Sequence, residues 1–231
     1  MQATLRKYMA VFAAMFLFVC FTGCTASPEE SGSDVPAELE KLTFYSPYVA
    51  YLGKPLEELL PVLEASGEWG DNLYNYDGSL PEWLLANQTV TINGLDYWRQ
   101  IMSQTRAVTP GPWAFDYETY LETDDLDQSV AQMKSVYDLL VSELGEPEAM
   151  TNEQTSLAQA FETGFEALDG QEKQAWWILA DNWANVYDSS QPEKLLTCMM
   201  RVIAKQDEIR INVRFALKGE QELTSLNRFA E

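Results

Sequence analysis

Histidine is missing from all 231 residues. That one absence removes Ser-His-Asp and Cys-His catalysis, histidine-ligated zinc and histidine-based pH switching. Cysteine is scarce, with three residues at 20, 24 and 198. Two of them stand in or beside an N-terminal apolar run, so Cys198 is alone in the rest of the chain and no disulfide can form there. Basic residues are few: 15 Lys and Arg face 36 Asp and Glu, a net charge of −21. A surface that negative repels nucleic acid and anionic head groups, so no nucleic-acid partner is expected. No Gly-x-Ser-x-Gly, P-loop or dinucleotide fingerprint occurs, and neither a cofactor nor a metal is expected. What is present is globular: apolar residues make up 46% and charged residues 22%, enough to bury a large core without disulfides.

The first 23 residues have three parts. Arg6 and Lys7 form a basic start, Tyr8 to Phe21 an apolar core, and Thr22-Gly23-Cys24 a small-residue end. The apolar core is well short of the roughly 20 residues that span a bilayer, and the plan is that of a signal peptide. Phe21-Thr22-Gly23-Cys24 resembles the lipobox of bacterial lipoproteins, with Phe21 where that family usually carries an aliphatic residue. The resemblance implies cleavage before Cys24 and a lipid on its thiol, hence an extracytoplasmic protein anchored at the cell membrane. The other reading is an ordinary secretory signal with an incidental cysteine. The following Ser/Pro/Gly/acid-rich stretch cannot bury a core, so 24–40 reads as a flexible tether and 41–231 as one globular domain, with a possible sub-boundary near 145–155.

Within that domain, Leu56, Leu59, Leu60 and Leu63 recur at helical spacing after Pro55, with Pro61 expected to kink or end the helix early. Gly67 to Pro81 reads as a long loop. Thr89 to Leu95 reads as a strand entering an Asn93-Gly94 turn, with Ile92 facing Leu95 and Val90 facing Tyr97. The return limb is ambiguous, because Leu95, Trp98, Ile101 and Met102 also fit a helix. Trp113, Phe115, Tyr117, Thr119 and Leu121 alternate with polar neighbours as a half-buried strand. Leu126 to Leu144 is the clearest helix, started by Thr123, Asp124 and Asp125 and stopped by Gly145 and Pro147. Leu157, Phe161, Phe165 and Leu168 predict a third helix. Trp176, Leu179, Trp183 and Val186 suggest a fourth, capped by Asp169 or Glu172, although a strand is the alternative over 175–186. The chain closes on a long hairpin whose apolar rows coincide if Lys205 pairs with Glu208. These elements predict an α+β fold, an antiparallel sheet with helices on one face.

Leu52-Gly53-Lys54, Ile92-Asn93-Gly94 and Leu144-Gly145-Glu146-Pro147 also resemble, over roughly 50–150, the helix-over-sheet modules of envelope lipoproteins with a β-lactamase-inhibitor-like fold. That likeness implies an envelope-assembly or protein-binding role and assigns no residue a function.

Two features could hold a ligand. Arg201, Arg210 and Arg214 share one hairpin face, where they could grip a carboxylate or phosphate, or pair with Asp116, Glu118 and Glu122 of a neighbouring strand. Trp69, Tyr74, Tyr76 and Trp83 lie in or beside the long loop, where they could stack on sugar rings or cover the core. Asp124-Asp125-Leu126-Asp127 fails as an EF-hand loop and suits a helix cap. Cys198 falls on the apolar row of its strand. The leading expectation is a lipid-anchored surface protein whose non-catalytic domain binds an envelope protein or peptide. The alternative is a glycan- or small-anion-binding module; a carboxylate-based hydrolase comes third, since no pair of acids stands out.

Overall fold

Alternation decides this fold: five long period-two segments pair edge to edge, and their shared apolar rows require helices on one side only. In the computed structural model, residues 36–69, 83–104, 111–148, 156–185, 193–205 and 207–219 are described. They belong to a single compact unit. The strands are β1 (Trp83–Leu85), β2 (Val90–Ile92), β3 (Leu95–Gln104), β4 (Gly111–Leu121), β5 (Gln171–Ala184), β6 (Glu193–Lys205) and β7 (Glu208–Lys218). All pair antiparallel, in the order β1-β3-β4-β7-β6-β5, with β2 also on β3. The helices are α1 (Leu56–Ser66), α2 (Leu126–Leu144) and α3 (Leu157–Thr163). The fold is α+β with a C-terminal β6–β7 hairpin, as the sequence leads one to expect. Because β4 pairs with β7, the sheet joins the two sides of the 145–155 stretch.

The final hairpin has the expected register: Lys205 opposite Glu208, Ala204 opposite Ile209, Val202 opposite Ile211 and Met200 opposite Val213. These rows, with Cys198 among them, are buried in one core with Leu59 and Leu63 of α1, Met133 and Leu140 of α2 and Phe161 of α3. The Asn93-Gly94 turn brings both residues to positive φ, 51° and 77°, and sets Ile92 opposite Leu95 and Val90 opposite Tyr97. Asp125 accepts from the Gln128 amide at 2.9 Å and caps α2.

Several expectations are corrected. Pro61 does not end α1, which runs on to Ser66; Pro61 lies on the exposed face, where the carbonyl it leaves unpaired can meet water. The return limb after Asn93-Gly94 is strand, not helix. The third helix ends at Thr163, because Gly164 at φ 98° breaks it and Phe165–Ala167 form a 3-10 turn. The suggested fourth helix is β5. Its pairing with β6 shifts register between Ile178 and Ala180 and again between Ala180 and Trp183, and these irregularities supply the spacing that imitates a helix. Val186 lies outside the described residues. Among the described residues no helix is long and apolar enough to cross a membrane.

Candidate functional site

The sheet leaves one face without helices, and strand parity decides what stands on it. Even positions of β3, β4 and β7 and odd positions of β6 point that way, so Trp98, Gln100, Met102, Asp116, Glu118, Tyr120, Arg201, Arg210 and Arg214 come together across four adjacent strands. They line a groove of about 570 Å³, with Leu85 of β1 at its edge. The three arginines expected to share a face do so, and each has an acidic partner.

Arg214 sits directly across from Asp116 and holds it bidentately, Nε donating to Oδ1 at 2.7 Å and Nη2 to Oδ2 at 2.6 Å. Asp116 is only 1% exposed, so the planar guanidinium fork replaces nearly all of its water. Arg210 reaches diagonally to Glu118 at 3.4 Å and lies 3.6 Å from Glu208. Arg201 lies 3.6 Å from Glu172 of β5. Between them Asn212 is buried and donates to the Tyr117 carbonyl at 3.4 Å. Aromatic rings frame the charges. Arg214 lies over Trp113 and Arg210 over Tyr120, at 5.5 and 5.8 Å from the ring centroids. Lys218 lies 6.0 Å from Trp113 and 5.6 Å from Trp176. Trp113 does not stand in the core row of β4 as its spacing suggests. The β3–β4 pairing slips beside it, with Met102 opposite Ala114 and Ser103 opposite Pro112, so Trp113 is the extra residue of a bulge and meets Arg214 and Lys218 instead.

The loop aromatics fare differently. Trp69 is fully buried on the helix side, edge-on to Tyr48 at 5.3 Å, and presents no ring to a sugar. The Trp83 backbone pairs with Met102 in β1, while its side chain, Tyr74, Tyr76 and Cys24 lie outside the described residues.

The residues that the sequence reading missed are Leu85, Trp98 and Tyr120. Trp98 and Tyr120 are 48% and 47% exposed and meet edge to face at 5.7 Å. A signal for Tyr120 was present, since it is an aromatic ring in the polar row Asp116-Glu118-Tyr120. Trp98 carried none while β3 could still be drawn as a helix.

Chemically the groove is balanced. Each arginine has a carboxylate close enough to offset its charge, although only Arg214 is held bidentately and Arg201 and Arg210 each leave Nε without a hydrogen-bond partner among the described residues. Both acids that line the groove lie beside an arginine rather than beside each other as an acid–base pair. What it offers freely is aromatic and aliphatic surface above a rigid polar floor. No protein-family model, no curated protein and no solved structure matches this chain.

Proposed function

We propose that this is a lipid-anchored extracytoplasmic binding protein whose uncovered sheet face docks a segment of an envelope protein or peptide that presents apolar side chains. One observation carries the reading. The four large apolar side chains exposed among the described residues, Leu85, Trp98, Tyr120 and Ile178, all stand on the sheet face away from the helices. Leu85, Trp98 and Tyr120 share the groove with the arginines, and Ile178 stands apart on the far edge strand; aromatic and arginine side chains grouped on one surface are the residues that dominate protein–protein binding energy. The pairing of each arginine favours this over binding of a free anion. The anchor rests on Phe21-Thr22-Gly23-Cys24.

A photo-crosslinking residue at position 98 in growing cells tests the face, with position 138 on the exposed side of α2 as the control. A discrete protein adduct at 98 and none at 138 is expected; no adduct at 98 overturns the reading. For the anchor, Cys24→Ala moves the protein out of the membrane fraction, and unchanged fractionation removes the lipid from the account.

A further inference from the structure

A second cleft, of about 670 Å³, lies on the opposite side of the sheet between the Thr43–Tyr48 stretch and the β2–β3 hairpin. Arg99 is its anomaly. It occupies the core row of β3 between Tyr97 and Ile101, both buried, where the strand period calls for an apolar residue. Its side chain is 14% exposed and makes one ion pair, Nη1 to Glu68 Oε2 at 3.2 Å. Tyr48 donates its hydroxyl to the same carboxylate oxygen at 2.9 Å. That leaves Glu68 Oε1 as an acceptor and most of the Arg99 fork as donors without a hydrogen-bond partner among the described residues. A mostly buried guanidinium with a single carboxylate contact and its Nε without a partner among the described residues leaves donors available at the wall of the cleft. Tyr117, directly opposite Arg99, donates a long bond of 3.4 Å to the Tyr45 carbonyl and also meets the Ser46 side chain.

The cleft therefore presents a neutral pair, an acceptor beside donors, between tyrosine rings. A free carboxylate would meet Glu68, and a chain of net charge −21 repels anions. A cation would meet Arg99, and an apolar ligand would leave the remaining Glu68 oxygen and Arg99 donors without a partner. Neighbouring hydroxyls each donate and accept, and the C–H face of a pyranose packs on aromatic rings. We propose that this cleft is a saccharide site, in which vicinal hydroxyls bridge Glu68 and Arg99 while the partly exposed ring of Tyr45 covers the sugar face. It is independent of the open sheet face and stands or falls without it.

The test is calorimetric titration of the full chain in a polyoxyethylene detergent, which carries no sugar. The probes are cellotetraose, maltotetraose and chitotetraose, with glutarate as the anionic arm. At least one saccharide should bind, Glu68→Gln and Tyr48→Phe should each weaken it about tenfold, and Asp138→Asn on α2 should leave it unchanged. Tyr48→Phe keeps the ring and its packing, so it separates lost recognition from lost folding. Binding of none of the three saccharides, binding indifferent to both substitutions, or preference for glutarate would each overturn the proposal.

Discussion

Asp116 shows how a single residue can be both buried and charged in this protein. Its two carboxylate oxygens are matched by two nitrogens of Arg214, and truncating either partner leaves the other stranded out of water. Arg214→Ala should therefore lower unfolding stability by about 3 kcal/mol or more. Asp116→Ala should cost less, because Arg214 is 17% exposed and keeps its ring contact with Trp113. The double variant should lose clearly less than the sum of the two, a coupling that urea denaturation in a double-mutant cycle measures directly; additive losses would mean that the pair is not a unit. That Arg201, Arg210 and Arg214 share a face was legible from parity once the Lys205–Glu208 register was fixed, and Asp116 and Glu118 were already in view as partners. The position of Trp113 was not legible, because a bulge reverses parity without changing composition. Arg99 was not either: alternation places it correctly on the inner row, but no pattern says that a cation there will be tolerated until Glu68 is seen beside it.

At the scale of elements, Leu52 and Gly53 form the junction on which three strands depend. The Gly53 amide donates to the Pro112 carbonyl of β4 at 2.8 Å, and Trp183 of β5 donates its indole N–H to the Leu52 carbonyl at 2.7 Å. Gly53 holds φ +82°, and a Cβ there would collide with the Ala184 carbonyl oxygen and crowd Leu217 of β7. Gly94 also has positive φ, +77°, but open space around it. Gly94→Ala should thus cost about 1 kcal/mol from backbone strain alone. Gly53→Ala adds a steric clash and a displaced β5 end, and should cost about 3 kcal/mol or more. Thermal melts of the two variants compare them, and equal shifts would deny the junction. Trp183→Phe probes the same point from the other side, with an expected loss of about 1–3 kcal/mol for a buried carbonyl left without its donor. The elements themselves were readable where one period ran unbroken, as in α2 and the β6–β7 hairpin. They were unreadable where geometry interrupts the period: β5 carries two register shifts and a positive φ at Asn182, and its tryptophans therefore fall at helical intervals.

Across the described residues the sheet has two unlike sides: a buried core under three helices and an uncovered face of paired charges and rings. The core side sets the response to alkali. Burial pushes up the phenols of Tyr97 and Tyr117 and the thiol of Cys198, so all three stay protonated when folded at a pH where the unfolded chain has already lost those protons. Their contribution is complete below the unfolded values, about 8.5 for cysteine and 10 for tyrosine, and is lost as pH rises above them. Each such group should steepen the fall in the folding equilibrium by up to about tenfold per pH unit. Added negative charge on a chain already at −21 works in the same direction, through repulsion, but salt screens that part and leaves proton linkage in place. Denaturation followed between pH 8 and 11 in high salt isolates the linkage. Tyr97→Phe is the informative variant, because the Tyr97 hydroxyl is buried without a hydrogen-bond partner among the described residues and its removal leaves no broken bond behind. It should keep or raise stability at neutral pH and flatten the alkaline slope; a slope unchanged by Tyr97→Phe but abolished by salt would assign the whole effect to surface repulsion rather than to the core.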